Sequence, residues 1–526
     1  MAARPAAPVP GPGRGHARMN RQIRRLGIAL VGLFALLFAQ VSYVQVFAAD
    51  RIADDPANAT RQIIAESKIE RGSIFASDGA TVLARSDPVG NNAARHFVRR
   101  YPDGPLFAEI TGFYSRVYGR TQIERAMNAY LSGDAPELAA STFADLILGR
   151  PKQGGPVVTT IDARLQQVAC DALGSLPGGV VAIEPATGGV LAICSNPRYD
   201  PNALSRGTRD EIRTAWEAYN ADPGKPLVPR ASQELYPPGS TFKMVTTAAA
   251  LENGYGPESV WPNPRELDLP LTEGTLQNFG GSWCLGGAKQ ITLAQAFQVS
   301  CNVTFGQIGL ALGPEALQAQ AQAFGFCPTD PPERSDCLEP TIPFVVPFET
   351  GRFPIPAYFE QNDPLLAISA IGQDNDLANP LQMALVGAAI ANDGRLMQPQ
   401  LVREVRDPQG RVIRATEPEE YGRPITSDTA AELRTMMVSV VEAGTGTAAR
   451  IPGITVAGKT GTAQHGGPDV PPHAWFVCFA PAGPDDIPRI AVAVIVLDGG
   501  DLGSEATGGQ VAAPIARQVV EAYLGG

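Results

Sequence analysis

The feature that most restricts this chain is a stretch of 24 residues, 26–49, without a charged side chain. Its first part, Leu26-Gly27-Ile28-Ala29-Leu30-Val31-Gly32-Leu33-Phe34-Ala35-Leu36-Leu37-Phe38-Ala39, is unbroken, and only Gln40, Ser42 and Gln45 interrupt the second half. As a helix rising about 1.5 Å per residue, such a segment spans a hydrocarbon core of roughly 30 Å. A cleaved signal peptide has a shorter apolar region, usually about 7–15 residues, and a small-residue cleavage site. No Ala-x-Ala ends this stretch, so it reads as an uncleaved anchor. Arg4, Arg14, Arg18, Arg21, Arg24 and Arg25 precede it with no acid among them. That asymmetry predicts a cytoplasmic N-terminus, with residues 50–526 outside the membrane.

Beyond residue 25 the balance reverses, to 36 basic against 53 acidic residues. Nucleic-acid binding draws on basic surface to displace counterions, so an acidic body argues against DNA or RNA as a partner. At 526 residues the chain exceeds one ordinary core, and two exported domains are expected. An exported chain meets an oxidising compartment, where disulfides persist. Of the seven cysteines none forms Cys-x-x-Cys, so no zinc or redox motif is indicated, and the reading calls for no metal and no cofactor. Cys284 and Cys301 bracket a turn and a short helix, and Cys327 and Cys337 bracket a Pro-rich loop. Both pairs are candidate disulfides, although spacing alone does not establish the Cα approach that a bridge needs. Cys170, Cys194 and Cys478 sit in apolar runs and read as small hydrophobes.

Residues 1–20 are rich in Ala, Pro, Gly and Arg and are expected to be disordered, within a basic cytoplasmic tail of residues 1–25. Residues 50–155 read as a smaller mixed module. It has a strand signal at Gly72-Ser73-Ile74-Phe75, a turn at Ser77-Asp78-Gly79 and a helical stretch near residues 122–131. Residues 149–156, Gly-Arg-Pro-Lys-Gln-Gly-Gly-Pro, read as a linker. The second domain, residues 156–526, opens with an extended Val157-Val158-Thr159-Thr160-Ile161, and Asp162 is set to cap a helix through Leu173. Residues 179–184 and 190–194 form a hairpin, and three further strands are expected at residues 454–462, 475–479 and 489–497. A helix over residues 510–524 closes the chain, and the region between the early and late strands reads as mostly helical. Two strands, then helices, then three strands predict an α+β domain with a five-stranded antiparallel sheet packed with helices.

Chemistry concentrates in three places. In Tyr236-Pro237-Pro238-Gly239-Ser240-Thr241-Phe242-Lys243, the Pro-Pro-Gly run disfavours helix before Ser240, and good helix formers come after it. Ser240 then sits at a helix start with Lys243 a turn along the same face, so that a neutral lysine amine can activate a serine hydroxyl. The chain has only six lysines, and this is its sole Ser-x-x-Lys. Arginine cannot serve as a base that must lose its proton. Ser300-Cys301-Asn302 is the sole Ser-x-Asn, and it comes after a capping box at Thr292-Leu293-Ala294-Gln295. Residues two apart do not share a helical face, so a loop is expected there if Ser300 relays a proton while Asn302 holds a substrate amide. Lys459-Thr460-Gly461-Thr462 lies on an expected strand. Lys459 would keep Lys243 neutral by like-charge repulsion. It would also bind a substrate carboxylate with Thr460 and Thr462, and Gly461 lets that substrate lie against the backbone.

Two competing patterns fail on context. Residues 453–460 satisfy G-x-x-x-x-G-K-[ST], but a phosphate-binding loop needs a helix after it, and Gly461-Thr462-Ala463-Gln464-His465-Gly466-Gly467-Pro468 cannot begin a long one. A His-dependent serine hydrolase lacks its G-x-S-x-G elbow, and His465 and His473 read as loop residues.

The three motifs in this order resemble those of penicillin-binding proteins and serine β-lactamases. Arg71-Gly72-Ser73-Ile74, Leu131-Ser132-Gly133, Thr160-Ile161-Asp162, Ile371-Gly372-Gln373, Pro380-Leu381-Gln382 and Ala391-Asn392-Asp393-Gly394 extend the likeness to class B penicillin-binding proteins. Arg99-Arg100-Tyr101-Pro102 points to actinobacterial A-type members. The resemblance implies a transpeptidase domain on a non-catalytic pedestal, with peptidoglycan stem peptides ending in D-Ala-D-Ala as substrate and β-lactams as acylating agents. It implies Ser240 as nucleophile, Lys243 as base, and the Ser240 and Thr462 amides as oxyanion hole. Residues 50–155 are too short for a glycosyltransferase domain, so a SEDS-family polymerase is implied as partner. One departure is Cys301, where the β-lactamase motif has Asp, and a Cys284–Cys301 bridge would restrain the site edge. A carboxypeptidase or β-lactamase of the same fold, and a non-catalytic scaffold, are the alternatives; no Glu-x-x-Leu-Asn follows Ser300 to deacylate a β-lactam.

Overall fold

The computed structural model describes residues 15–46, 67–90, 96–139, 151–331, 337, 342–360, 362–467 and 469–525. It has two compact units, Met1–Ile64 and Ala65–Gly526. The described part of the first is a single helix, α1, Gly15–Val46, in which Arg24–Tyr43 is long and apolar enough to cross a membrane. The helix begins inside the tail expected to be disordered. No proline follows Pro12 there, and arginine and glutamine are good helix formers, so residues 15–25 continue the apolar run as helix. Residues 1–14 and 47–49 lie outside the described residues.

The second unit opens with β1 (Ile74–Phe75), β2 (Val82–Val89) and β3 (His96–Arg100). The expected helical stretch forms as Gln122–Ala126 and Asn128–Leu131, broken at Met127. Arg71 and Arg99 converge on the buried Glu124 at 2.7 and 2.6 Å. Burial by itself would raise the Glu124 carboxyl, but the guanidiniums of Arg99 and Arg71 outweigh it and hold the group below its ordinary range. Strand β4 (Val157–Thr159) pairs parallel to β1 on one side and antiparallel to Val402–Arg406 on the other. The result is one six-stranded sheet, ordered Val412–Ala415, Val402–Arg406, β4, β1, β2, β3.

The segment read as a linker is instead packed. Gly154 N donates to Glu70 O and Gly155 N to Tyr130 O, each at 2.8 Å, and a side chain at Gly154 would lie 1.8 Å from the Leu131 carbonyl. Its glycines admit close backbone approach and not looseness. Gly149 and Arg150 lie outside the described residues.

Asp162 caps α2 (Ala163–Leu173), accepting from Leu165 N at 2.9 Å. The five expected strands are β5 (Gly178–Ile183), β6 (Val190–Asn196), β7 (Ala457–Ala463), β8 (His473–Ala480) and β9 (Ile490–Val496). They form one antiparallel sheet in the order β7-β8-β9-β5-β6, so β7 is an edge strand. Strand β7 starts at Ala457 and not at Ile454, because Gly453 at φ +79 folds Ile454 back onto Ile451.

Alternate residues of β9 serve two cores. Ala491, Ala493 and Ile495 join one apolar cluster, whereas Ile490, Val492, Val494 and Val496 join the other. A sheet covered on both faces accounts for near-continuous apolar strands. Helix α2 and the closing α7 (Gly508–Leu524) cover one face. The other carries α3 (Lys243–Glu252), α4 (Asn302–Ala323), α5 (Pro380–Ala391) and α6 (Ser427–Ala443). Every residue of α5 is buried, as a helix apolar on nearly all sides requires, and its one polar side chain, Gln382, donates to Phe324 O at 2.9 Å.

The region expected to be mostly helical also holds two-stranded ribbons, including Glu266–Asp268 with Thr275–Gln277 and Val260–Pro262 with Gln290–Thr292. These three-residue strands are too short to show a period. Disulfides join Cys284 to Cys301 and Cys327 to Cys337, with Cα separations of 5.9 and 5.5 Å. The reading of Cys170 and Cys194 as lone hydrophobes is corrected: they are bonded, Cα to Cα 5.6 Å, tying α2 to β6. Their apolar surroundings bury the bond itself. Cys478 is free and buried.

Candidate active site

Ser240 lies in a 3-10 turn, Gly239–Phe242, that leads into α3. Gly239, at φ +52, donates its amide to Gly372 O at 2.8 Å. A side chain at Gly372, itself at φ +76, would stand 2.2 Å from the Gly239 carbonyl, and one at Gly239 would meet Thr462 O at 2.8 Å. The serine turn is therefore clamped between β7 and the 372 loop at a distance only glycine permits. Trp475 Nε1 donates to Pro237 O at 2.9 Å, and a side chain at Gly461 would press on Thr241 and Pro238.

Lys243 is the first residue of α3 and is fully buried. Its Nζ donates to Asn302 Oδ1 at 2.7 Å and to Ser300 O at 2.9 Å, with Ser300 Oγ at 3.4 Å. Among the described residues no hydrogen bond joins it to the Ser240 hydroxyl; its donors are taken up by the second motif. Lys459, also fully buried, donates to Ser300 Oγ at 2.8 Å and to Thr460 O at 3.0 Å. The Ser300 hydroxyl thus stands between two amines. Ser300 takes φ +60 in the break between Leu293–Gln298 and α4, and Asn302 opens α4. That left-handed residue lets Ser300 and Asn302 aim at one lysine, which a continuous helix would forbid.

Burial drives the Lys243 ammonium well below its usual range, and the Lys459 charge pushes the same way. Burial takes Lys459 down to about 7. Lys243 is therefore biased toward the neutral amine, the state in which it can accept a proton from a serine, while Lys459, at about 7, stays partly protonated near neutrality.

Ser240, Ser300, Asn302, Thr460 and Thr462 line one cleft of 1120 Å³. Its described lining contains no carboxylate and no histidine. Its rim carries Cys284, whose disulfide holds the middle residue of Ser300-Cys301-Asn302 against the Phe279–Trp283 arm. Cys327–Cys337 does not line this cleft. Sequence reasoning missed Thr445, which also lines it and whose hydroxyl is 2.6 Å from that of Thr460. The signal was the small-residue run Gly444-Thr445-Gly446 after α6, where a side chain at Gly444 would stand 2.3 Å from Gln298 O.

Lys459 and Thr460 sit inside β7 with no helix after it, so the chain has no phosphate-cradling loop there. The histidines require a correction. His473 opens β8 and is buried, and its ring stacks on that of His465 at 3.8 Å, so only His465 remains in a loop. Asp498 N donates to His473 Nδ1 at 3.2 Å, and His465 Nε2 lies 3.0 Å from the Asp498 carboxylate. Burial, reinforced by His465, takes His473 down to about 3 and keeps it neutral.

Residues 178–521 match the family model described as the penicillin binding protein transpeptidase domain. The chain belongs to the penicillin-binding protein transpeptidases. Residues 71–157 match the penicillin binding protein A dimerisation domain. Among full-length relatives of this penicillin-binding protein is the peptidoglycan D,D-transpeptidase PbpA of Mycolicibacterium smegmatis, 42% identical over 96% of this chain and 99% of that protein. PbpA of Mycobacterium tuberculosis is 39% identical over 97% of this chain and 100% of that protein. Solved structures of M. tuberculosis penicillin-binding protein A as imipenem and penicillin G acyl-enzyme complexes superpose with TM-scores of 0.78 and 0.76. Each is 38% identical and covers 87% of this chain and 100% of the other.

Proposed function

We propose that this penicillin-binding protein is a peptidoglycan D,D-transpeptidase that acts through an acyl-enzyme on Ser240. The observation that carries the reading is the pair of buried amines, Lys243 and Lys459, hydrogen-bonded through Ser300 beneath the cleft that Ser240 lines. Ser240 Oγ attacks the carbonyl of the penultimate D-Ala, and its proton passes to neutral Lys243. The amides of Ser240 and Thr462 hold the oxyanion, and Lys459 with Thr460 and Thr462 holds the terminal carboxylate. Asn302 steadies the donor's amide. Ser300, between the two amines, carries the proton toward the departing D-Ala nitrogen. An amine from a neighbouring stem then attacks the ester and restores Ser240. A β-lactam takes the first half of this path and stops at the acyl-enzyme, a reading supported by the acyl-enzyme structures of the 38% identical relative.

The apolar helix anchors the chain in the cell membrane. The six arginines of residues 1–25 support a cytoplasmic N-terminus and an extracytoplasmic catalytic domain over residues 156–526, with residues 50–155 as pedestal. Glycan polymerisation falls to a separate membrane polymerase of the SEDS type.

Fluorescent-penicillin labelling of the full chain tests the nucleophile: wild type labels and Ser240→Ala does not. Equal labelling of the variant would move the nucleophile elsewhere. Release of D-Ala from a pentapeptide without a crosslinked product, in the presence of an acceptor stem, would favour carboxypeptidase activity instead.

A further inference from the structure

Gln373 lies in the loop just after Gly372, the residue that clamps the serine turn, and it lines the cleft together with Gln464. With its amide oriented by its hydrogen bonds, it donates to Gln464 O at 3.0 Å and accepts from Gln464 N at 3.2 Å. One side-chain amide thus satisfies both backbone groups of a residue just past the end of β7. That is the pattern by which one strand residue adds to another in an antiparallel pair.

Strand β7 is the free edge of its sheet, and its other side is occupied by β8. Thr462 turns its carbonyl toward the Gly239 turn, across that free edge. Backbone groups alternate sides along a strand, so Gln464, two residues on, presents its N–H and C=O to the same edge. An extended donor whose reacting carbonyl sits at the Thr462 amide runs antiparallel to β7. The residue two before its penultimate D-Ala then falls opposite Gln464. Gln373 already fills that position.

We propose that Gln373 is a specificity-determining residue that competes with the donor stem for the backbone edge at Gln464. A stem can pair with β7 at Thr462 without disturbing Gln373, whereas pairing one step farther from the reacting bond must displace the glutamine amide. The cleft therefore discriminates among donors by what precedes the D-Ala. This rests on the reading of Ser240 as the acylated residue and of β7 as the donor's strand partner.

The test uses the full chain in detergent and two thioester donors. One is N-acetyl-D-alanyl-thioglycolate, too short to reach Gln464. The other is the same thioester extended by two residues, N-acetyl-Ala-Lys-D-alanyl-thioglycolate. In Gln373→Met, which keeps the bulk but neither donates nor accepts in the same way, the ratio of the long donor's KM to the short donor's KM falls about fivefold, the worth of roughly one net hydrogen bond. Gln373→Ala gives a fall in the same direction. An unchanged ratio, or one that rises, overturns the proposal, the second outcome meaning that Gln373 grips the long donor instead of competing with it. Penicillin labelling of the same variants keeps the two claims apart. A protein that labels at Ser240 but shows no length dependence refutes the role of Gln373 alone, and absence of labelling in wild type refutes the underlying reading.

Discussion

At the scale of single residues, the two amines decide the chemistry. With Lys459 near 7 and Lys243 also depressed, β-lactam acylation is expected to rise with pH along a limb near neutrality and not near the ~10.4 of an ordinary lysine. In Lys459→Met the like charge that lowers Lys243 is gone, so the limb of whatever acylation remains moves to higher pH. A pH series of labelling rates on both proteins checks it; burial, the larger cause, still depresses Lys243 in the variant, and a limb that stays in place would show that the Lys459 charge does not tune the base. The same shift bears on stability. Lys459 folds with a pKa of about 7 against about 10.4 unfolded, so between these values the unfolded chain binds more protons. Its contribution therefore makes stability rise with pH from about 7 to about 10.4 and change little below that window. Urea unfolding at pH 7 to 10 should show a slope that is smaller in Lys459→Met, by up to about 1.4 kcal/mol per pH unit.

At the scale of elements, two local arrangements stand out. The first module is organised around Glu124, which receives Arg71 Nε and Arg99 Nε and also the Tyr101 hydroxyl at 3.1 Å. Removing the acid leaves two buried guanidiniums without their countercharge, though Arg71 keeps Asn128 Oδ1 and Arg99 keeps Gly72 O as acceptors. Glu124→Ala is expected to lose about 3–5 kcal/mol of unfolding free energy, measured by urea titration, whereas an exposed pair such as Arg85 with Asp87 would cost less than about 1 kcal/mol. The second arrangement is the serine turn. Its position depends on glycines at 239, 372 and 461, each of which admits a backbone or side-chain contact that a Cβ would occupy. The motifs Ser240-Thr241-Phe242-Lys243 and Lys459-Thr460-Gly461 therefore carry packing information as well as chemistry.

At the scale of the whole molecule, one sheet joins strands from residues 74–100 to strands from residues 402–415. Strand β4 is paired on one side by β1 and on the other by Val402–Arg406, so cutting at residue 156 would bare the β4 edge and strand Val402–Arg406 beside it. A chain starting at residue 65 is expected to be soluble without detergent and to take up fluorescent penicillin at the full-length rate, because Met1–Ile64 forms a separate unit. A chain starting at residue 157 is expected to aggregate through the exposed strand edge. Sedimentation and labelling of the two truncations distinguish these outcomes, and a well-behaved 157–526 chain would show that the shared sheet is dispensable.

Much of this was legible in the sequence because it is written in local patterns. The anchor is an uncharged run, four of the five core strands are apolar runs between turn residues while β7 carries Lys459-Thr460-Gly461-Thr462, Asp162 is a cap, and the reactive residues fall into short motifs of few alternatives. What stayed hidden depends on partners distant in the chain. The Cys170–Cys194 bond, the pairing of β4 with Val402–Arg406 and the approach of Thr445 to Thr460 join segments whose spacing carries no period. Packed glycines at 154 and 155 look the same as flexible ones until the carbonyl they approach is known. So the sequence alone determined which groups are available for acyl transfer and that an apolar helix precedes them. Only the tertiary structure decided that Lys243 turns to Ser300 and Asn302 and that Gln373 covers the edge at Gln464, because burial and strand edges exist only once distant segments have closed on one another.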